Sequence, residues 1–424
     1  MKHELFCLQN LKFLYNPSVK KVIIIGAGAA GLMSAIKAAE NSEVILLEKM
    51  PKPGLKILVS GKGRCNVTNA GPMSELISAF GRNGKFLYHA FSVFSNEDLV
   101  KFLNGIGVET VVERGNRVFP KSQRSKDVLN ALKGEAVRRG VKIVLNSPVK
   151  SLNVNGSSVK GVILQSGQTL DADYVIMATG GKSFPGLGTT GDGYEMLREI
   201  GHTVTPLYPG LVPLITKEKW VKELEGLSLR NVKITAICGK KRFSHFGDMV
   251  FTSSGISGPI VLTLSSEIVP FLRHPLSAEI DLKPALSDEI LDRRLLREFT
   301  AQGKRMFKNA MHALLPASLI PVFVGMSGIN GDKKCSEITK EERKKILLLL
   351  KHFPITILGT EGFAHAIVTK GGVSLKEVDP KTMRSKIADN LFITGELLDI
   401  DAITGGYNLQ AAFSTGFVAG SAAR

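Results

Sequence analysis

The chain has 424 residues, of which 44% are hydrophobic and 22% charged, proportions that exclude a fibrous or disordered chain and leave room for two or three domains. The four cysteines are scattered with no Cys-x-x-Cys pair, so neither a zinc site nor a disulfide framework is expected, and no metal is predicted. No run of 18 apolar residues occurs and the N-terminus lacks a signal-peptide core. These features predict a cytoplasmic protein without a membrane span.

The chain opens with a predicted β-α-β unit. Residues 1–20 are expected to be an extension ahead of the first strand. The continuous apolar run from Val22 to Ile25 indicates a strand buried on both faces of a parallel sheet. Helix formers follow from Leu32 to Glu40, and Val44 to Leu47 is predicted as the next strand. This order is typical of a Rossmann-like domain.

The turn between the first strand and its helix reads GAGAAG and predicts a dinucleotide site. Gly26 permits the tight turn, Gly28 lets the backbone approach a pyrophosphate, and Gly31 lets the helix pack closely. The helix N-terminus offers free N–H groups to the phosphates. Glu48 ends the second strand, where its carboxylate can accept hydrogen bonds from a ribose diol. FAD and NAD both carry that diol, so both remain open, and the plain alternative is a glycine-rich turn without a ligand.

A second strand-then-glycine pattern follows much later in the chain. Residues 53–72 are too rich in Gly, Asn and Thr to predict a regular element. Helices, a hairpin and further strands are predicted beyond them, at 99–103, 108–119, 128–139, 141–145, 149–164 and 173–177. The last of these strands ends in Ala178, Thr179, Gly180 and Gly181, small residues that leave room for a cofactor. An ordinary tight turn is the alternative; two such turns favour a large cofactor over a simple nicotinamide dehydrogenase.

The middle of the chain differs from both ends in its residue pattern. Residues 194–284 contain several short β-like runs, and residues 285–353 are helical and basic. Strand patterns return from 354 onward. We therefore predict an α/β protein in which a Rossmann-like nucleotide domain, built from 21–193 and 354–424, is interrupted by a β-rich insert domain with a helical subdomain.

The C-terminal segment combines a strand, a glycine pair and a helix. Gly405 and Gly406 would let main-chain amides meet the edge of a ring, and a helix N-terminus follows. This suits the N1–C2=O region of an isoalloxazine, where negative charge builds on reduction. Asp399 and Asp401 could form an acid/base pair; the preferred alternative is that they cap turns or bind a ribityl hydroxyl.

Six segments together resemble one flavoprotein family. They are GAGAAG, SGKGRCNVTN, MATGG, FTSSGISGP, VTKGGV and LLDIDAITGGYNLQAA. The chain is similar over about residues 20–424 to the FAD-binding family often labelled aminoacetone oxidase-like, which includes a bile-acid dehydro-intermediate reductase. The resemblance implies a glutathione-reductase/fumarate-reductase-like FAD domain with non-covalent FAD.

The resemblance and the turns described above nominate a set of cofactor-binding residues. It comprises Gly26, Gly28, Ala29, Ala30, Gly31, Glu48, Lys49, Ser60, Gly61, Arg64, Cys65, Asn66, Thr68, Val149, Ala178, Thr179, Gly180, Gly181, Asp192, Gly395, Glu396, Asp399, Gly405, Gly406, Tyr407, Asn408, Leu409 and Gln410. Many relatives carry a histidine where this chain has Ser253, and an acid where it has Arg384. No catalytic residue is named from the sequence.

The function expected from these observations is FAD-dependent oxidoreduction. Flavin N5 would exchange hydride with a small organic substrate, and NADH or NADPH would be the second redox partner. The net charge of +17 keeps open a flavoprotein that acts on nucleic acid, although no aromatic-interleaved RNA-binding signature or zinc finger accompanies the basic clusters and a diffuse basic surface is the simpler interpretation. A flavin-binding regulator without turnover is the third alternative. Substrate, reaction direction and oligomeric state stay open.

Overall fold

The structure, a computed structural model, describes residues 19–424. It divides into two compact units: the first ends at Tyr208 and resumes over Ile367–Arg424, and the second is Pro209–Ala366. The predicted N-terminal extension lies outside the described residues except for its end, where Lys20 already begins the first strand, and Cys7 also lies outside them. Within residues 19–424, none of the helices combines the length and apolar character needed to cross a bilayer.

Strands and helices are numbered here in chain order. The strands are β1 (Lys20–Ile25), β2 (Ser42–Leu47), β3 (Thr68–Asn69), β4 (Thr110–Glu113), β5 (Arg117–Pro120), β6 (Lys142–Val144), β7 (Val149–Asn155), β8 (Ser158–Leu164), β9 (Thr169–Asp171), β10 (Tyr174–Met177), β11 (Tyr208–Gly210), β12 (Leu214–Thr216), β13 (Ser228–Cys238), β14 (Lys241–Phe251), β15 (Gly255–Ser257), β16 (Leu276–Asp281), β17 (Phe353–Thr360), β18 (Val368–Lys370) and β19 (Leu391–Ile393). The α-helices are α1 (Ala29–Ala38), α2 (Leu55–Val59), α3 (Met73–Ser78), α4 (Tyr88–Val93), α5 (Asn96–Gly105), α6 (Ser125–Arg138), α7 (Asp192–Glu199), α8 (Pro259–Ile268), α9 (Asp288–Ala301), α10 (Phe307–Ala310), α11 (Ile320–Ser327), α12 (Lys340–Lys351) and α13 (Tyr407–Ala422).

The first unit is built on a parallel sheet of five strands in the order β19-β10-β1-β2-β6. Its centre is β1, where Val22, Ile23 and Ile24 are fully buried, because helices cover both faces of such a sheet. Helix α13 packs against α1: Ser34 Oγ donates to the Gly416 carbonyl at 3.0 Å. The predicted Rossmann-like fold is confirmed, and the end of the chain returns to the first β-α-β unit.

The second unit contains a closed barrel in the order β12-β15-β14-β13-β16-β17. Side chains of the barrel and of helices α8, α9, α11 and α12 share one hydrophobic core, in which Ile234, Leu295 and Phe353 are buried. The helical stretch therefore packs on the barrel, because α9 and α12 each carry an apolar stripe that has to be covered.

Two sequence expectations differ from the structure. The strand pattern that begins near 354 was assigned to the nucleotide domain, but β17 pairs with β12 and β16 and so completes the barrel. Residues 53–72 were expected to lack regular elements, but α2 forms after Gly54, whose left-handed φ of 64° turns the chain into the apolar run that buries Ile57.

Candidate functional site

Four of the predicted cofactor residues follow four neighbouring strands of the parallel sheet. Gly26 follows β1, Glu48 follows β2, Ala178 follows β10, and Gly395 comes shortly after β19. Because the carboxyl ends of parallel strands meet at one edge, these positions converge although they are far apart in the chain. Ligands of open α/β sheets bind at such an edge, and we take this edge as the candidate cofactor site.

The glycines of the first turn have different physical roles. A Cβ at Gly26, where φ is 99°, would lie 2.6 Å from the Ala178 carbonyl oxygen. A Cβ at Gly31 would lie 1.8 Å from the Gly26 carbonyl oxygen. A Cβ at Gly28 would meet no atom within 4 Å. The fold itself needs Gly26 and Gly31, whereas Gly28 keeps open the space before the N-terminus of α1.

Glu48 is held rigidly at the end of β2. Its two carboxylate oxygens accept hydrogen bonds from the Ala27 and Met50 amides, each at 2.9 Å. Burial raises the pKa of Glu48, and the two amides act in the opposite direction. The Glu48 carbonyl accepts from the Ser147 amide at 2.9 Å, which brings the start of β7, with Val149, to the same edge.

Lys49 and Asp192, both predicted to contact the cofactor, are paired with each other. Lys49 Nζ lies 2.7 Å from Asp192 Oδ2 and 2.7 Å from Thr190 Oγ1. Burial alone would raise the pKa of Asp192, but the Lys49 and Thr190 hydrogen bonds outweigh it and lower the pKa. This pair ties the end of β2 to the first turn of α7.

The loop after α2 meets the start of the C-terminal helix. Thr68 Oγ1 donates to Gln410 Oε1 at 2.6 Å, and a Cβ at Gly406 would lie 2.3 Å from the Thr68 carbonyl oxygen. Asn66 Oδ1, 2.9 Å from the same hypothetical Cβ, is buried and has no hydrogen-bond partner within residues 19–424. Only a glycine fits at Gly406, and Asn66 holds an unused acceptor beside it.

A second unsatisfied oxygen lies at the end of β10. Thr179 Oγ1 is buried without a hydrogen-bond partner in the described part of the chain, and a Cβ at Gly193 would lie 2.0 Å from it. Buried polar atoms of native proteins are nearly always paired, so an orphan needs a ligand or water. Thr179 and Asn66, together with the open space at Gly28 and the fixed Glu48 carboxylate, fit a bound FAD.

Arg64 and Cys65 of the predicted flavin loop have other surroundings than expected. The Arg64 guanidinium makes two hydrogen bonds to Glu113, at 3.0 Å each, donates to Gln123 Oε1 at 2.7 Å, and lies 3.9 Å from the Phe119 ring centroid. Cys65 is fully buried, and burial raises the pKa of its thiol to about 11. Arg64 braces the hairpin β4–β5, and Cys65 is a packed, un-ionised thiol.

Glu396, next to the end of β19, is the centre of a polar network. Its carboxylate accepts from Lys56 Nζ at 2.6 Å, from Ser183 Oγ at 3.0 Å and from the Thr369 amide at 2.7 Å. The buried Tyr194 hydroxyl donates to the Glu396 carbonyl at 2.9 Å. The network fixes the backbone at Gly395 and at Gly181, where a Cβ would lie 2.3 Å from Thr369 Oγ1.

Two acids and a lysine form a cluster just beyond Glu396. Lys370 Nζ lies 3.3 Å from Asp401 Oδ2, and Asn83 Nδ2 donates to the Asp399 carbonyl at 2.7 Å. Burial raises the pKa of Asp401, which Lys370 lowers in part. Burial and then the charge of Asp401 raise the pKa of Asp399, while Arg82 lowers it. Both carboxyls therefore keep a proton to higher pH than an ordinary aspartic acid.

The remaining predicted residues line the same unit. Asn408 closes a loop by accepting from the Ala402 amide at 2.9 Å and donating to its carbonyl at 3.0 Å. Tyr407 and Leu409 are partly exposed in the first turn of α13. Ala29 and Ala30 begin α1, Ser60 and Gly61 lie in a 3₁₀ turn after α2, and Gly180 lies in the turn after β10. Within residues 19–424, no group of three His, Cys, Asp or Glu side chains could hold a metal ion.

Sequence reasoning missed three cations of this site, Lys56, Arg82 and Lys370. Lys56 was not nominated because the segment around it showed no pattern, and Arg82 lies in a 3₁₀ turn without a motif. Lys370 stands inside the VTKGGV segment, so a search for a cation within the family motifs would have found it. Their significance arises only from the acids that the fold brings near them.

Comparison with known proteins agrees with this description. The family described as HI0933-like protein Rossmann domain matches residues 20–422. A 3-dehydro-bile acid delta(4,6)-reductase of Clostridium scindens is 33% identical over 96% of this chain and 99% of its own length. A ribosomal RNA dihydrouridine synthase of Haemophilus influenzae is 34% identical over 93% of this chain and 96% of its own, and one of Escherichia coli is 30% identical over 93% and 95%.

Solved structures share the fold at low sequence identity. The open form of a flavocytochrome c3 fumarate reductase matches with a TM-score of 0.53 and 17% identity, over 96% of this chain and 78% of that one. A 3-ketosteroid delta1-dehydrogenase from Sterolibacterium denitrificans matches with a TM-score of 0.52 and 15% identity, over 95% and 99%. The predicted flavoprotein family, the fumarate-reductase-like fold and the class of FAD-dependent oxidoreductase are confirmed.

Proposed function

We propose, since this chain belongs to the HI0933-like protein Rossmann-domain family, that it reduces a carbon–carbon double bond conjugated to a carbonyl group. Two names among its relatives, a delta(4,6)-reductase of 3-dehydro-bile acids and a dihydrouridine synthase, describe that same change in different molecules. The observation that carries the proposal is the partly buried cluster of Asp399, Asp401 and Lys370 in the unit that bears the cofactor residues.

Such a reduction adds a hydride to one carbon and a proton to its neighbour. Reduced FAD, when bound, supplies the hydride. Asp401 is suited to supply the proton, because burial raises its pKa and Lys370, at 3.3 Å, stabilises the carboxylate that remains after transfer. A protonated Asp399 places no negative charge beside Asp401. Its backbone carbonyl accepts a hydrogen bond from Asn83 Nδ2 at 2.7 Å, which fixes its position.

The other residues bind the cofactor and keep it oriented. Glu48 would accept hydrogen bonds from the adenosine ribose, since its carboxylate is already locked by two amides. The N-terminus of α1, with Gly28 bare before it, would hold the pyrophosphate. The buried side-chain oxygens of Asn66 and Thr179, which lack a protein partner, would each form a hydrogen bond with the cofactor.

The reductant of the first half-reaction is proposed to be NADH or NADPH. Purified protein with bound FAD should lose its visible flavin absorbance under anaerobic conditions when one nicotinamide is added, and regain it when a conjugated enone follows. Bleaching by neither nicotinamide would refute this part of the proposal, and bleaching without reoxidation by any conjugated acceptor would refute the reductase.

A second candidate for the acceptor is the uracil ring of RNA. Its C5=C6 bond is conjugated to the C4 carbonyl, so the chemistry is unchanged, and the net charge of +17 suits a polyanionic substrate better than a small ketone. Mass spectrometry of nucleosides after incubation with unmodified RNA tests it directly. A gain of two hydrogens on uridine supports the RNA substrate, whereas turnover of a free enone with no change in RNA supports the small molecule.

A further inference from the structure

The hairpin β13–β14 of the second unit projects an unusual combination of side chains. The chain from Gly226 to Gly247 contains no acidic residue, yet Lys233, Lys240, Lys241 and Arg242 are all exposed along it. None of these four cations belongs to an ion pair within residues 19–424. Lys233 lies directly across from Asp281 of β16. The concentrated positive patch is therefore the hairpin tip, where Lys240, Lys241 and Arg242 are consecutive and exposed.

Aromatic rings accompany these charges on both faces of the hairpin. Phe246 is 63% exposed and pairs across the strands with Lys233, so the two side chains share one face, on which Arg242 also lies opposite Ile237. On the other face, Phe271 is 37% exposed, its ring centroid is 5.8 Å from that of Phe243, and Lys241 Nζ lies 5.3 Å from its centroid.

An exposed phenylalanine on a strand is not needed by the fold. Two other residues of β14, His245 and Met249, lie on the inner face of the hairpin. His245 pairs with Glu267 of α8 at 2.8 Å, and Met249 is buried in the core. Phe246 itself contributes nothing comparable to the core. Rings left in water beside unpaired cations are what single-stranded nucleic acid binds: bases stack on the rings, and the cations neutralise phosphates.

We propose that the β13–β14 hairpin, with Phe271 beside its tip, is a binding surface for a single-stranded segment of RNA. Its 240–246 stretch, KKRFSHF, places three consecutive cations directly before two phenylalanines. The inference rests on the RNA candidate of the proposed function and adds to it the surface that holds the substrate. It concerns binding by the second unit alone.

The test measures binding of a fluorescent, unstructured oligoribonucleotide to the FAD-loaded protein at several salt concentrations. Replacing Lys240, Lys241 and Arg242 together by Gln removes up to three phosphate contacts, so the slope of log affinity against log salt should fall in magnitude by about 2. The matched control replaces Lys334, Lys344 and Lys345, also exposed in the second unit, by Gln and should leave the slope nearly unchanged.

The aromatic contribution is tested separately. Phe246→Ala should weaken binding by roughly five- to 150-fold, the range of one base stack, and Phe246→Trp should restore it. The proposed RNA-binding surface is refuted if the control triple variant loses as much RNA affinity as the hairpin variants, or if the hairpin variants lose none. Tighter binding to anionic lipid vesicles than to RNA would also refute it. Circular dichroism and bound-flavin content report that the variants are folded.

Failure of the surface and failure of the function give different results. If the wild type binds RNA through the hairpin but forms no dihydrouridine, the proposed binding surface is supported and the RNA reductase is refuted. If the hairpin variants form dihydrouridine at the wild-type rate and bind RNA with the wild-type affinity, the RNA reductase is supported and the proposed binding surface is refuted.

Discussion

Gly28 separates the needs of the fold from those of the ligand, and its substitution by Ala is the sharpest test of the candidate site. The backbone at Gly28 has φ −80° and ψ −167°, which an alanine adopts without strain, and its Cβ would meet nothing within 4 Å. The free energy of unfolding of FAD-free protein should therefore change by less than about 1 kcal/mol, because the lost backbone freedom of the unfolded chain offsets the poorer helix cap.

The same methyl group would occupy the space through which a pyrophosphate reaches the N-terminus of α1. Forcing an extra methyl into a packed contact costs about 1–3 kcal/mol, which corresponds to FAD binding weakened about five- to 150-fold. Titration of flavin-free protein with FAD, followed by flavin fluorescence quenching, measures the change. Gly31→Ala is the contrasting control: its Cβ would lie 1.8 Å from the Gly26 carbonyl oxygen, so it should lower the thermal stability of the flavin-free protein itself.

The reasoning is refuted if Gly28→Ala binds FAD as tightly as the wild type while the flavin-free protein is intact. That result would mean that no ligand approaches the backbone here. A drop in flavin-free stability as large as that of Gly31→Ala would refute the assignment of separate roles to the two glycines.

Three further predictions concern titratable groups that are wholly or partly buried. Asp401→Asn should slow reoxidation of the reduced enzyme by its acceptor at least tenfold while reduction by the nicotinamide is unaffected, because Asp401, with Lys370 at 3.3 Å, is assigned the proton; equal slowing of both half-reactions would contradict the assignment. Burial lowers the pKa of His202 despite Glu377 at 3.1 Å, so the unfolded chain binds this proton more readily, and the free energy of unfolding should fall as pH drops through and below the ordinary histidine pKa; His202→Gln should flatten that fall, and an unaltered pH profile would count against it. Burial raises the pKa of Cys65 to about 11, so this thiol should resist alkylation at pH 8 in the native protein and react after unfolding, as peptide mass mapping would reveal; rapid labelling of native Cys65 would show that the loop is open.

Local sequence rules were sufficient for the first β-α-β unit. Apolar continuity over Val22 to Ile25, glycine spacing and the acid at Glu48 each have a short-range physical cause, and the comparisons confirm the Rossmann-type fold that they predict. The hairpin β4–β5 and the helices α5 and α6 were also predicted close to their observed bounds, since their periodicity is written in consecutive residues.

Pairings between distant residues could not be read in this way. The strand β17 has the same apolar pattern whether it joins the parallel sheet or the barrel, and only its pairing with β12 and β16 decides. The partners of Arg64 could not be read either, because its guanidinium donates to Glu113 and Gln123, which lie 49 and 59 residues further along the chain.

The sequence by itself determined which chain segments could turn, bury or bind, because glycine conformation and hydrophobic period are properties of neighbouring residues. The tertiary structure alone decided which charges meet. Lys370 and Asp401 are 3.3 Å apart, and Lys56 and Glu396 are 2.6 Å apart, although the latter pair is separated by most of the chain. The strength of an electrostatic contact depends on distance and on burial, and both are set only when the chain has folded.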